Sequence, residues 1–254
     1  MDLLVTTAEE RPDLVPRMDD WGDWPEFMRR DPVSPLYYRD AVTAHPGFVL
    51  IAVDRDHPDR LAAKGYSVPF TWSDDPDEAL PRGGWDDVIL IAAHDRLAGR
   101  EGTLVSALEI SIRPDLRGSG LSSVMLDAMR RNATDRGFPG LVAPVRPNAK
   151  HRHPHLPIAQ YAHLRRDDGL PADPWLRVHV RAGGRIAGTS THAMTIPGSL
   201  AEWREWTGLP FDTTGPVEVP GALAPVHCDT AHDHAVYCEP WVWVHHRLAG
   251  PVTS

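Results

Sequence analysis

Short runs of apolar, β-branched and aromatic residues recur along the chain and predict a series of strands. Two of these runs, 48–53 and 65–72, predict a hairpin whose connection is the acidic spacer 56–60. Further strands are predicted over 103–112, 140–145, 185–196 and 237–245. The first residues, 3–15, are only weakly strand-like and stop before a proline.

Helical spacing of apolar residues fills the intervals between these strands. It predicts helices over 86–98 and 121–136, with Gly99 and Gly137 beyond their ends. Asp173 is an N-cap residue followed by proline, which predicts a helix that runs to Gly183. Shorter helices are predicted between 25 and 44 and over 200–207. The alternation predicts a mixed α/β fold.

The strand over 103–112 leads directly into the turn Arg113-Pro114-Asp115-Leu116-Arg117-Gly118-Ser119-Gly120-Leu121-Ser122 and then into a helix. Gly118 and Gly120 have no Cβ atom, so the backbone N–H groups can approach a phosphate, and the helix N-terminus adds partial positive charge. Arg117 could add a charge-assisted contact. The same glycines also suit a plain strand-to-helix turn, so the pattern alone leaves both interpretations open.

The segment Arg117-Gly118-Ser119-Gly120-Leu121-Ser122, with Ile112 and Pro114 before it, resembles the pyrophosphate loop of the GNAT acyltransferase superfamily. Ser122 departs from the Gly or Ala usual at its position. The similarity is strongest over 103–145, with insertions at about 73–102 and 146–171. It implies a single domain over 1–254 with an α/β (α+β) GNAT fold, a central mixed, mostly antiparallel sheet with splayed strands four and five, flanked by helices.

This resemblance implies acetyl-CoA or another acyl-CoA as the donor, with the pantetheine arm between strands four and five. The residues implied to contact the donor lie at the end of the strand and in the turn. They are Ser111, Ile112, Arg113, Arg117, Gly118, Ser119, Gly120, Leu121 and Ser122.

Three residues are candidates for proton transfer. GNAT enzymes often carry a Tyr acid four residues before the Gly that ends the helix after strand five, and here His179 stands at that spacing from Gly183. Tyr161, in the second insertion, is the other candidate acid. Glu109 is the only carboxylate within the strand and could take a proton from the amine through water. The alternatives are that His179 only packs in the core, that Tyr161 anchors its loop and that Glu109 pairs with an arginine.

Positive charge gathers in the second insertion of an otherwise acidic protein. Arg146, Lys150 and Arg165 are predicted to bind substrate, either an acceptor carboxylate, the CoA 3′-phosphate or the acidic face of an acyl carrier protein. Pairing with nearby acidic residues is the alternative for these cations.

The composition and charge of the chain limit the classes of partner that it is expected to bind. With 254 residues and a net charge of −9, the chain lacks the basic surface that nucleic-acid binding requires. No apolar run approaches the ~20 residues of a membrane span, and the basic start of a secretion signal is missing, so we expect a cytoplasmic protein. The two cysteines are expected to be free thiols. The His, Cys and Asp residues over 227–238 match no closed tetrahedral motif, so we expect no metal.

Taken together, these features predict an acyl-CoA-dependent N-acyltransferase of the EC 2.3.1 class. It would move an acetyl or related acyl group to the amine of a small molecule by direct attack. Two alternatives are an acyltransferase of specialised metabolism that uses a carrier-protein thioester, and a non-catalytic acyl-CoA-binding or interaction module. The sequence leaves a homodimer open.

Overall fold

The computed structural model describes residues 3–18, 24–75 and 78–248. One nine-stranded sheet runs through these residues. Its strands are β1 (Leu3–Thr7), β2 (Val49–Asp54), β3 (His57–Phe70), β4 (Leu104–Ile112), β5 (Gly140–Val145), β6 (Arg185–Gly198), β7 (Gly215–Val217), β8 (Val226–Asp229) and β9 (His234–Arg247). The order across the sheet is β1-β2-β3-β4-β5-β9-β8-β7, and β6 pairs with the other edge of β9.

The sheet is antiparallel except where β4 lies beside β5. These two strands pair only at Val105 with Leu141 and at Ser106 with Val142. Beyond these positions the two strands separate, although β4 continues to Ile112. Pro144 in β5 has no N–H to give to a ladder, which suits a place where pairing stops. The predicted mixed sheet with splayed fourth and fifth strands is therefore confirmed.

Seven α-helices flank the sheet in the described residues. They are α1 (Pro35–Tyr38), α2 (Ala41–Ala44), α3 (Gly84–Leu97), α4 (Leu121–Asp135), α5 (Ile158–Tyr161), α6 (Pro174–Arg181) and α7 (Leu200–Thr207). Asp173 caps α6 as predicted, since its carboxylate accepts hydrogen bonds from the backbone N–H groups of Trp175 and Leu176.

Both faces of the sheet are buried. Along β2, Val49, Ile51 and Val53 belong to one hydrophobic core, whereas Leu50 and Ala52 belong to the other. The first core contains side chains of α3 and the second contains side chains of α4. Because a strand covered on both faces has no polar face, β2 appears in the sequence as a continuous apolar run.

The structure corrects three expectations near the strands. Only Leu3–Thr7 of the weak N-terminal segment forms a strand, and Pro12–Arg17 is a 3-10 turn in which two prolines lack the N–H that strand pairing needs. The spacer 56–60 is mostly strand, because β3 begins at His57. The short strands β7 and β8 were not predicted, since they have only three and four residues.

Two buried carboxyl groups, Asp31 and Asp86, interact electrostatically beside the start of α3. Asp31 Oδ2 also accepts from the Ser34 N–H at 2.6 Å, and Asp86 Oδ2 accepts from the Thr195 N–H at 3.0 Å. Burial, followed by the charge of Asp31, raises the pKa of Asp86 to about 8. Asp86 is therefore largely protonated at neutral pH.

This pair predicts a pH-dependent stability. The folded pKa of Asp86 lies above its unfolded value of about 3.9, so the folded state binds more protons and its stability falls as pH rises from about 4 to 8. Asp86→Asn keeps a polar amide in place without the charge. We expect it to flatten this fall and to be more stable than wild type by about 1–3 kcal/mol at pH 8, measured by urea unfolding.

Asp40→Asn, which removes an exposed carboxylate, is the matched control and should leave the pH dependence as in wild type. Equal slopes of unfolding free energy against pH for Asp86→Asn and wild type would contradict a protonated Asp86 in the folded state.

Candidate active site

A cleft of about 510 Å³ opens where β4 and β5 separate. The end of β4, the glycine turn and the first turn of α4 form one side of it. The lining residues from these elements are Glu109, Ile110, Ser111, Ile112, Arg117, Gly118 and Ser122. Fold topology thus brings five of the predicted donor contacts into one cleft, beside the predicted base.

The glycine turn has the geometry of an anion cradle. Gly118 and Gly120 have φ values of +79° and +86°, and Gly120 is the N-cap residue of α4. A Cβ atom built on either glycine meets nothing within 4 Å, so the space in front of the turn is open. The positive end of α4 and the Arg117 side chain lie at the same place, and a diphosphate fits this combination.

The other predicted donor contacts shape the turn. Arg113 donates from Nε to Asp115 and from Nη1 to the Leu61 carbonyl oxygen, both at 2.7 Å. The Ser119 hydroxyl donates to the Leu116 carbonyl, and Leu121 is buried in the core. Their side chains do not line the cleft in the described structure, so a donor contact by Arg113, Ser119, Gly120 or Leu121 stays a prediction.

A second cavity, of about 460 Å³, shares Trp24 and Glu109 with the donor cleft. Its walls are largely aromatic, and its lining also includes three cations. The aromatic members are Trp24, Tyr38, Tyr66 and Trp85, and the cations are Arg29, Arg39 and Lys64. The sequence patterns did not identify this cavity, because its walls come from segments far apart along the chain.

Glu109 lies at the junction of the two cavities. Its Oε2 accepts hydrogen bonds from the Trp24 indole N–H at 3.2 Å and from the Tyr38 hydroxyl at 2.9 Å. Burial, and then the charge of Glu109, raise the pKa of Tyr38 well above its usual value, so Tyr38 remains a donor. The carboxylate is therefore held in place at the point where a donor and an acceptor would meet.

His179 is buried behind this junction. It is 1% exposed, its Nδ1 lies 3.0 Å from His246 Nε2, and its ring packs against Trp175 with centroids 4.6 Å apart. Burial, and then His246, lower the pKa of His179 to about 3, so the imidazole is neutral at physiological pH. This environment favours the packing alternative, and the acid role stays a prediction.

Tyr161, Lys150 and Arg165 make contacts within the second insertion, and their predicted roles toward substrate stay predictions. The Tyr161 hydroxyl donates to Asp173 Oδ2 at 2.9 Å, and the residue is 3% exposed. Lys150 is 1% exposed, and its ammonium group donates to the carbonyl oxygens of His153, Pro154 and Leu223. Arg165 donates to two carbonyl oxygens of its own loop. Tyr161 and Lys150 hold the second insertion together, because buried donors that are already hydrogen-bonded are not available to a ligand.

Arg146 differs from these residues, because it lines the donor cleft together with Asn148 and Trp175. Its Nε donates to Glu239 Oε1 at 2.9 Å. Of the three predicted substrate-binding cations, this is the one that the fold brings to the cleft.

In the part of the chain that the structure describes, no group of three or more His, Cys, Asp or Glu side chains is arranged to hold a metal ion. The described helices include none with the length and apolar character needed to cross a membrane.

Comparison with known proteins gives a relative that aligns over nearly the whole length of the chain. The chain is 32% identical to arginine N-acetyltransferase avaD of Aspergillus versicolor over 274 aligned positions, which cover 96% of this chain and 93% of that protein. The chain belongs to the GNAT superfamily. It is an acyl-CoA-dependent N-acyltransferase of a small amine acceptor, which confirms the predicted family and reaction class. No family model matches the chain.

Two solved structures share the fold of this GNAT member. The loading GNATL domain of CurA from Lyngbya majuscula is 18% identical, with a TM-score of 0.55 and coverage of 97% of this chain and 96% of that one. The GphF GNAT-like decarboxylase in complex with isobutyryl-CoA is also 18% identical, with a TM-score of 0.51 and coverage of 97% and 100%.

The cradle geometry predicts the effect of one methyl group. Gly118→Ala adds a side chain at a positive φ on the cleft wall, and both the strain and the methyl group should weaken donor binding. We expect the Kd for CoA, measured by calorimetry, to rise about tenfold or more, which corresponds to about 1.4 kcal/mol.

Gly137→Ala is the matched control, because Gly137 follows the other end of α4 with a φ of +83° and similarly open space. It should lower thermal stability to a similar extent and leave the Kd unchanged. Equal CoA affinities for the two variants would argue against the cradle.

Proposed function

We propose that this GNAT enzyme transfers the acetyl group of acetyl-CoA to the α-amine of arginine or a closely related cationic amino acid. The observation that carries the proposal is the position of Glu109, whose carboxylate lies between the donor cleft and an aromatic second cavity. The arginine N-acetyltransferase of Aspergillus versicolor supports both the acetyl group and the acceptor.

The lining of the second cavity fits an amino acid with a cationic side chain. Aromatic faces such as those of the partly exposed Trp24 and Tyr38 attract a guanidinium group by cation–π interaction. Arg29 and Arg39 are suited to pair with an α-carboxylate. A simple alkylamine would use only part of this lining.

The α-amine is the nitrogen that can react. A guanidinium group stays protonated at any physiological pH, whereas an α-amino group is a much weaker base and loses its proton far more readily. Glu109 would accept the proton that the amine loses as its nitrogen bonds to the thioester carbon. The C–S bond then breaks, and the CoA thiolate takes up one proton.

The proposal includes a single domain over 1–254 acting in the cytoplasm. One sheet shared by both hydrophobic cores supports the single domain. Two free thiols, Cys228 and Cys238, suit a reducing compartment. A carrier-protein donor has less support, because Lys150 is buried and its ammonium group donates to backbone carbonyls. A homodimer stays a prediction.

An acceptor panel tests the proposal. With acetyl-CoA as donor, release of free thiol should be fastest with arginine. It should be slower with agmatine, which lacks the carboxylate, and absent with Nα-acetylarginine, which lacks the reactive amine. Equal rates with every primary amine would contradict the arginine assignment. Tight binding of acetyl-CoA without thiol release for any amine would instead favour the binding-module alternative.

Removal of the charge at Glu109 should slow the reaction without weakening donor binding. Glu109→Gln keeps an oxygen for the Trp24 and Tyr38 donors but no longer accepts a proton. We expect kcat to fall about 10²–10⁴-fold, with the Kd for CoA within threefold of wild type. Glu101→Gln, at an exposed position, is the control and should retain wild-type kcat. A wild-type kcat in Glu109→Gln would remove this residue from the mechanism.

A further inference from the structure

Glu239 in β9 is a carboxylate without solvent exposure and with three hydrogen-bond donors around it. Trp241 Nε1 donates to it at 2.8 Å, the Tyr237 hydroxyl at 3.0 Å and Arg146 Nε at 2.9 Å. A charge removed from water in this way is tolerated only when it is paired and hydrogen-bonded. Arg146 supplies the opposite charge.

The same contacts fix the guanidinium group of Arg146 from behind. Nε bonds to Glu239, and Nη2 donates to the Gly221 carbonyl oxygen at 2.7 Å. Within the described residues, Nη1 has no hydrogen-bond partner, and Arg146 lines the donor cleft with its side chain 24% exposed. An arginine held on one edge presents the other edge to a ligand with little loss of side-chain freedom.

The position of Arg146 along the cleft indicates which part of the donor it meets. It directly follows β5, on the side of the cleft opposite β4. Arg146 lines the cleft together with Glu109 and Ile110 of β4. This is the end of the cleft at the junction with the second cavity, where the amine and thioester would meet.

Two stacked indoles connect these groups. The rings of Trp24 and Trp241 lie 6.4 Å apart with an interplanar angle of 17°. Trp24 donates to Glu109, and Trp241 donates to Glu239. The predicted base on one side of the cleft and the anchored cation on the other are thus parts of one packed unit.

We propose that Arg146 is a catalytic residue that stabilises the negative charge on the thioester carbonyl oxygen, and that Glu239 is its positioning residue. As the amine nitrogen bonds to the carbonyl carbon, the C=O electron pair moves to oxygen and accepts a hydrogen bond from the guanidinium group. The charge then returns to reform C=O as the C–S bond breaks. Arg146 stays protonated throughout, the amine proton goes to Glu109, and the thiolate takes up one proton. The inference rests on the acyl transfer proposed above.

Variants of Arg146 test the catalytic part. We expect Arg146→Gln to lower kcat about 10²–10³-fold, as for loss of an oxyanion donor, with the Kd for CoA and the KM for arginine within threefold of wild type. Arg146→Lys keeps the positive charge but not the forked guanidinium group, and it should recover part of kcat. It is also the variant to measure if Arg146→Gln does not fold. Arg131→Gln, at an exposed position of α4, is the control with wild-type kinetics.

A double-variant cycle tests the positioning part. Glu239→Gln should lower kcat at least tenfold in wild type and cause no further loss in Arg146→Gln, because its effect passes through Arg146. Far-UV circular dichroism and thermal unfolding check that each variant is folded. Independent, multiplying losses in kcat would show a merely structural role for Glu239 and overturn this part.

Other outcomes overturn the catalytic part in distinguishable ways. A tenfold rise in the Kd for CoA at unchanged kcat would make Arg146 a phosphate contact. A rise in KM for arginine but not for agmatine would make it an acceptor-carboxylate contact. If wild type prefers another amine, the proposed acceptor fails, and the Arg146 variants are measured with that amine. Wild type that releases thiol with no amine overturns both proposals.

Discussion

The separation of β4 from β5 after two paired positions is the constraint on which the site depends. A sheet whose central strands stayed paired to their ends would leave no room between them. Here β4 runs on to Ile112 and into the glycine turn, while β5 ends at Val145 and continues into the second insertion. The separation stays open because each strand has another neighbour, β3 for β4 and β9 for β5, that completes its ladder on the far side.

That arrangement explains why the donor-binding side of the site could be predicted from the sequence. The strand, the two glycines and the helix that cradle a diphosphate are contiguous, and each acts through backbone geometry that residue type strongly constrains. Glu109 could be predicted for a similar reason, because it is a lone carboxylate in an otherwise apolar strand. The N-cap at Asp173 and the end of α4 before Gly137 are also local features, and both are present.

The acceptor side could not be predicted in this way. Trp24, Tyr38, Tyr66 and Trp85 come from four segments, and in sequence each resembles an ordinary core aromatic. The cations of the second insertion could not be distinguished from one another in the sequence. Lys150 and Arg146 are four residues apart and have the same formal charge, yet one donates into a nest of carbonyls and the other lines the cleft. Only tertiary packing distinguishes a cation that holds a loop from one that faces a ligand.

The charged groups at the junction of the two cavities lie among aromatic side chains. Glu109 and Glu239 are each held by an indole N–H, and the two indoles stack on each other. Aromatic rings cover part of the junction, so a charge there is screened less than it would be at an open surface. Each indole N–H also satisfies one lone pair of its carboxylate and helps to fix the orientation of that carboxylate. The junction thereby carries a negative group on one side and a guanidinium on the other in a poorly hydrated space, the condition under which fixed charges influence acyl transfer most strongly.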